Sequence, residues 1–315
     1  MPTGIPPEVR APTIVDLSIF VVSFNTRELT RACLESVHRE TRHASFEVIV
    51  VDNGSSDGSA AMVAEQFPDV RLIASEENLG FGPANNLAAA GAVGAYYLLL
   101  NPDTEVLDGA IDTLVAYAQV HPEAGIYGGR SVFADGSLNP QCCWGRPTLW
   151  SEVAAATGLS SLFSHSAFFN PRSLGAWPRD TERRVDIISG SFLLISAALW
   201  RRLGGFDTRF FMYGEDVDLC ERARAIGHSC LFTPDAEIVH HGAGSEPVAV
   251  DKMVRLVRAR AQFYDKHWSP ARSRLGIRLL DLRILARLAG SRLLRRRDLA
   301  DWQAIWERRS AWRLR

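Results

Sequence analysis

The chain has 315 residues, 47% hydrophobic and 23% charged, with 24 glycines and 15 prolines. These proportions exclude collagen-like, disordered and disulfide-scaffold chains, and the length suits one α/β domain with an appendage. The formal net charge of -1 hides a division, because residues 271–315 hold 13 arginines against 4 acids and the preceding body is acidic.

Cys33, Cys142, Cys143, Cys220 and Cys230 form no C-x-x-C pair and no zinc-finger spacing, which points to a reducing compartment. Residues 1–16 contain several prolines and lack the basic and apolar regions of a signal peptide, so they read as a loose leader. The longest uncharged stretch, 79–102, is interrupted by Pro83, Asn85, Asn86 and glycines, and no transmembrane helix is expected.

Residues 17–22 form a continuous apolar run, the mark of a strand buried on both faces, and stop at Ser23-Phe24-Asn25. Leu29, Cys33 and Val37 behind it keep helical spacing. A second such strand over 46–51 stops on Asp52, and the turn Asn53-Gly54-Ser55-Ser56-Asp57-Gly58 opens a helix reaching Phe67. A short strand over 70–74 and an Ala-rich helix over 80–92 lead to a strand over 96–100 that ends at Asn101-Pro102-Asp103. This alternation predicts an α/β, mostly parallel, doubly wound sheet with helices on both faces.

A helix over 107–120 and a strand over 125–133 precede an irregular stretch, 135–184, rich in Trp, Phe, Ser and Pro. Then come a strand over 187–195, a helix over 197–203 with a Gly204-Gly205 turn, and a helix over 215–226 closed by Gly227. Short strands over 229–233 and 237–240 are followed by helix to the end, punctuated at Ser269-Pro270 and Gly290.

Ligands of an open parallel sheet bind beyond the carboxyl ends of its strands, which singles out Ser23 to Asn25, Asp52 to Asp57, and Asn101 to Asp103. Asp52 suits a ribose or base as a hydrogen-bond acceptor, and Asp52 and Asp57 equally suit turn formation and helix capping. Glu215, Asp216 and Asp218 sit at a helix start, where acids favour the dipole. Their aromatic neighbours Phe210, Phe211 and Tyr213 would desolvate them, a setting that raises a carboxyl pKa and suits a general base. His240-His241, followed by Gly242-Ala243-Gly244-Ser245, offers an imidazole ligand.

The order SFN, VVDNGSSDGS, ENLGFGPANN, LLLNPDTEV, GGFDTRFFMYGEDVDLCERARAIG and VHHGAGS resembles the inverting glycosyltransferases of family 2, in their rhamnosyltransferase-like branch, over residues 17–245. The resemblance implies the GT-A fold, with a nucleotide- and metal-binding half (17–133), an acceptor and catalytic-base half (134–245) and a basic helical extension (246–315). It implies that Asp52 binds the nucleoside, with Ser23, Phe24, Asn25, Asn78, Gly80 and Asn101 around the nucleotide. Asp103 matches the last acid of the family's D-x-D metal motif, which here begins with Asn101, and His240 matches the histidine completing the site, with His241 as the alternative. Asp216 falls on the general base, with Glu215 in support. Mn2+ or Mg2+ is implied as cofactor, together with a nucleotide-sugar donor and a glycan or lipid-linked glycan acceptor. L-Rhamnose from dTDP-L-rhamnose is the favoured donor, with UDP-hexose, UDP-galactofuranose and GDP-sugars as alternatives.

A dinucleotide-dependent oxidoreductase lacks its glycine loop here, since the first βα turn holds no glycine, and no G-x-x-x-x-G-K-[ST] is present. A non-catalytic membrane-surface module explains the arginine tail and leaves the strand-end motifs unexplained. Residues 271–315 mix Trp and Leu with arginine, which suits an anionic membrane surface. Packing on the acidic body or homo-oligomer formation suits them equally. Nucleic acid is not expected, because the acidic body repels phosphate. The expected place is the cytoplasm, at the inner face of the cytoplasmic membrane if the tail binds it.

Overall fold

The computed structural model describes residues 15–242 and 249–313. Most of the expected leader, and the glycine-rich turn beyond Gly242, lie outside these residues. The first half follows the predicted alternation: β1 (Leu17–Ser23), α1 (Arg27–Glu40), β2 (Phe46–Asn53), α2 (Ser59–Gln66), β3 (Arg71–Ser75), α3 (Phe81–Ala89) and β4 (Tyr96–Leu100). These four strands pair in parallel in the order β3-β2-β1-β4.

Successive residues of a strand face opposite sides, and both sides are covered. Leu17, Ile19 and Val21 of β1 enter one core with Leu34 and Val37 of α1, while Phe20 and Val22 enter the other with Ala84 and Ala88 of α3. The continuous apolar runs in the sequence follow from this double burial.

The second half completes a mixed sheet. It contains β5 (Thr104–Val106), α4 (Ala110–Val120), β6 (Gly125–Val132), β7 (Cys143–Trp144), α5 (Leu149–Ala156), α6 (Leu159–Leu162), β8 (Arg183–Val185), β9 (Ile187–Ile188), β10 (Phe192–Ser196), α7 (Ala197–Leu203), α8 (Glu215–Ala225) and β11 (Ser229–His240). The sheet order is β3-β2-β1-β4-β10-β6-β11-β5, with β8 also on β11. β10 runs antiparallel between β4 and β6, and β5 and β8 run antiparallel to β11.

Four sequence expectations are corrected in detail. The strand expected over 187–195 breaks at Ser189-Gly190-Ser191, because β9 leaves the main sheet to pair with β7. The two short strands expected over 229–240 are one, β11, which absorbs Pro234 in a register shift between Phe232 and Glu237. The irregular region holds the helices α5 and α6, the first with a Thr148–Ser151 capping box. Gly290 does not punctuate the tail, since nothing lies within 4 Å of its added-Cβ position and the helix runs through it.

The C-terminal helices α9 (Ala249–His267), α10 (Pro270–Leu293) and α11 (Leu299–Glu307) share a core with the sheet. Val257, Phe263, Tyr264, Leu280, Ile305 and Trp312 belong to the cluster that contains Phe20 and Val22. All five cysteines are free and buried. Among the described residues no helix is long and apolar enough to cross a membrane.

Candidate active site

Parallel register places the predicted nucleotide residues side by side, since Ser23 of β1 is the partner of Asp52 on β2. Asp52 is 3% exposed. Its Oδ2 accepts the Ser55 N–H at 3.0 Å, and its buried Oδ1 has no hydrogen-bond partner among the described residues. Asp52 is therefore both the turn-former and a carboxylate with a free acceptor. Asn25, at φ 53°, accepts the Ser56 N–H at 2.8 Å and donates its own N–H to Ser55 Oγ at 2.9 Å. Asp57 accepts from Arg27 N–H and Ser59 N–H, so it ties two helix starts together. The Ser23 hydroxyl lies 3.1 Å from that of Thr26 and 3.0 Å from that of Thr30, in a buried cluster that spends it on local structure. Phe24 is half-buried beside it.

Asn53 holds the next loop, donating to Asn78 Oδ1 at 3.0 Å and to the Gly80 carbonyl at 3.2 Å while accepting the Leu79 N–H at 3.0 Å. Gly80 takes φ 86°, and a Cβ there would stand 2.2 Å from the Phe211 carbonyl oxygen. The Phe81 N–H donates to that same carbonyl at 2.9 Å. Thus Asn78 and Gly80 join the nucleotide side to the loop before α8. Gly80→Ala is expected to lose stability by about 1–3 kcal/mol and to weaken donor binding, read by melting temperature and calorimetry. A variant matching the parent in both would remove this coupling.

The end of β4 meets the end of β11. Pairing of β5 with β11 sets His240 opposite Thr104, and the His241 N–H donates to the Asp103 carbonyl at 2.9 Å. His240 Nε2 lies 3.3 Å from Asp103 Oδ1 and 3.4 Å from Asn101 Nδ2. His241 turns to Glu105, with Nε2 2.8 Å from Oε1. The structure thus brings Asn101, Asp103 and His240 together and directs His241 elsewhere. Burial pushes the Asp103 carboxyl up, but His240 and the backbone N–H groups outweigh it and hold the group below the ordinary value. Among the described residues no three His, Cys, Asp or Glu side chains gather into a complete metal cluster. A carboxylate and an imidazole side by side still fit Mn2+ or Mg2+ where diphosphate oxygens supply the remaining ligands.

The three acids of α8 separate into three environments. Glu215 is 5% exposed, its Oε2 is buried without a partner, and burial followed by the Asp216 charge raises its carboxyl well above the ordinary range. Asp216 is also raised by burial, less so because the N–H groups of Gly190 (3.2 Å) and Val217 (2.8 Å) and the Arg172 charge favour its anion. Burial shifts Glu215 further toward its protonated form, while the N–H groups on Asp216 favour its anion. Asp218, fully buried, receives Arg222, Lys266 and His267 at 2.6–2.7 Å.

Ser189-Gly190-Ser191, absent from the sequence reading, links the two ends of the site. Asn101 N–H donates to the Ser191 carbonyl at 3.1 Å, and the next residue back, Gly190, donates to Asp216. The one signal available was a small polar triplet inside an otherwise apolar run.

The sheet order, with carboxylates at its strand ends, has the architecture of the GT-A glycosyltransferases. Residues 18–158 match the family described as Glycosyl transferase family 2. The chain is 33% identical over 224 residues to the N-acetylglucosaminyl-diphospho-decaprenol L-rhamnosyltransferase of Mycobacterium tuberculosis, covering 63% of this chain and 67% of that protein. It is 26% identical over 232 residues to the rhamnosyltransferase WbbL of Escherichia coli, covering 71% and 82%. This protein belongs to glycosyltransferase family 2. Its fold is similar to that of the mannosyltransferase PcManGT from Pyrobaculum calidifontis, solved in complex with GDP-Man and Mn2+, at a TM-score of 0.57 and 19% identity over 95% of this chain and 86% of the other.

Proposed function

We propose that this protein is an inverting, divalent-metal-dependent rhamnosyltransferase that moves L-rhamnose from dTDP-L-rhamnose to a hydroxyl of a cell-surface or lipid-linked glycan. The observation that carries the reading is the backbone link from Asn101 through Ser191 and Gly190 to Asp216, which joins a diphosphate end to a buried base. The names of the two rhamnosyltransferase relatives support the sugar, and the name of the first supports a lipid-linked glycan acceptor. In this reading Asp52 accepts from the nucleoside with its free Oδ1. Asp103 and His240 hold the cation, which supplies charge neutralisation to the departing nucleoside diphosphate.

Asp216 takes the proton of the acceptor hydroxyl. The oxygen then bonds to the anomeric carbon as the opposite carbon–oxygen bond to the diphosphate breaks, and a single displacement inverts the centre. Glu215, whose charged form burial disfavours more strongly than that of Asp216, is the supporting residue. The division of labour we propose is 17–133 for nucleotide and metal, 134–245 for acceptor and base, and 246–315 as the basic extension. Exposed Leu282, Leu285, Leu293 and Leu294, set among arginines, favour peripheral contact of that extension with an anionic membrane.

A donor panel of dTDP-L-rhamnose, UDP-hexoses, UDP-galactofuranose and GDP-sugars, scored for nucleoside diphosphate release with Mn2+ and with chelator, tests the reading. Release from dTDP-L-rhamnose that is lost on chelation, and reduced about 10²-fold or more in Asp103→Asn, is expected. Metal-independent release at the parental rate in that variant would remove the Asp103–His240 assignment, and a preference for another donor would replace rhamnose.

A further inference from the structure

The C-terminal helices have an inward stripe of mixed character. Met253, Leu256, Val257 and Arg260 on α9 and Leu280, Arg283, Ile284 and Arg287 on α10 each follow helical spacing and face one another. With Trp302 of α11 they line a cavity of about 300 Å³. The lining therefore combines six apolar side chains with three guanidinium groups.

These cations continue inward. Arg172 lies in the fields of Arg260 and Glu152, Arg283 in the fields of Arg260, Glu152, Arg172 and Arg287, and Arg172 in turn acts on Asp216. Arg172 and Arg283 thus share one buried acid, Glu152, whose Oε1 lies 3.5 Å from Arg172 Nη1. Arg172 Nη1 and Tyr264 Oη are buried with no hydrogen-bond partner among the described residues. Burial, then the charge of Arg260, brings Arg283 down to about 10, so the cluster remains cationic at neutral pH. Partial desolvation of Arg172 and Arg283 beside like charges is costly, and a bound anion lowers that cost.

We propose that this cavity is a binding site for a phosphate or diphosphate group carrying an apolar chain, with the guanidinium groups of Arg260, Arg283 and Arg287 on the anion and the side chains of Met253, Leu280 and Trp302 on the chain. Guanidinium groups suit phosphate oxygens through paired N–H donors, and the apolar side chains have no use for a free inorganic ion. The cluster runs from the cavity to the Arg172 field at Asp216, so the occupant is the anionic lipid of the acceptor. This assignment rests on the acceptor half of the proposed function.

Calorimetry in the presence of chelator, with inorganic diphosphate, farnesyl diphosphate and farnesol as probes, tests it on the full chain. Farnesyl diphosphate is expected to bind at least about tenfold more tightly than inorganic diphosphate, and farnesol not to bind. Arg283→Gln and the exposed Arg287→Gln should each weaken farnesyl diphosphate about tenfold or more. Their melting temperatures without ligand should equal or exceed the parent's, since each change relieves repulsion; a merely structural arginine would lower them.

Equal affinity for both diphosphates would make this a site for free phosphate and overturn the lipid assignment. Unchanged binding in both variants would overturn the cavity. So would phosphatidylglycerol vesicles captured equally by parent and variants while farnesyl diphosphate is ignored, because the anion contact would then lie on the outer surface. If no donor is used in the panel yet farnesyl diphosphate binds as expected, the transferase reading fails and this site stands; the reverse result removes this site alone.

Discussion

Asp216→Asn is expected to lower sugar transfer by roughly 10²–10⁴-fold while leaving nucleotide binding in place, the range by which a positioned general base accelerates proton transfer. The amide keeps the shape and one acceptor oxygen but takes no proton from the acceptor hydroxyl. The parent's rate should also depend on pH in a defined direction. Burial raises Asp216 above the ordinary carboxylate value, so activity rises with pH through that raised value as the base ionises, and it then levels. Glu215→Gln is the internal comparison: the amide replaces a carboxyl whose charged form burial disfavours, so transfer should stay within a few-fold of the parent. The fold effect of that change has the same logic. A carboxyl raised by the fold favours the folded state at low pH and loses that contribution as pH rises through its folded value, so the glutamine variant should be no less stable than the parent at neutral pH. Retention of transfer within about tenfold in Asp216→Asn, with donor binding intact, would move the base elsewhere.

Much of this geometry was legible in the chain because strand ends announce themselves. The apolar runs before Ser23, Asp52 and Asn101 fixed where each strand stops, and a parallel sheet puts such stops on one edge. What the sequence could not supply was pairing between distant segments. β5 is three residues long and carries no periodic signal, yet it is the strand that sets β11 in register and so distinguishes His240 from His241. The break at Ser189-Gly190-Ser191 was hidden for a similar reason, since Ile187 and Ile188 look continuous with Phe192 to Ile195 until β7 draws them away. The irregular region concealed Arg172, a loop residue whose importance comes from its neighbours Glu152, Arg260 and Asp216 rather than from any local motif. The charge division was visible from composition, but its inward half was not. Arg283 and Arg287 take meaning only when α10 is packed against α9.

Asp218 gives the second large expected effect, on stability. Desolvation alone would raise its carboxyl, but His267, Lys266 and Arg222 outweigh burial and bring it to about 2. Arg222 also donates to the carbonyls of Leu203 and Gly205 at 2.8 Å, and Lys266 also reaches Asp207 at 2.6 Å. One buried acid therefore fastens α8 to the end of α9 and to the turn after α7. Asp218→Asn leaves those cations facing a neutral amide, and a loss of about 3–5 kcal/mol in chemical denaturation is expected. Lys266→Met in addition should cost less than the sum of the two single changes, because the lysine has lost a partner before it is removed. The pH dependence has the opposite sign to that of Glu215. A depressed carboxyl contributes stability above its unfolded value, near 3.9 for an ordinary aspartate, and loses it as pH falls toward about 2. The parent should therefore lose stability in acid over that window, and Asp218→Asn should lack that part of the loss. A variant with the parent's acid profile and less than about 1 kcal/mol of destabilisation would show that α8 is held to α9 by apolar packing alone, with Asp218 contributing nothing beyond a surface pair.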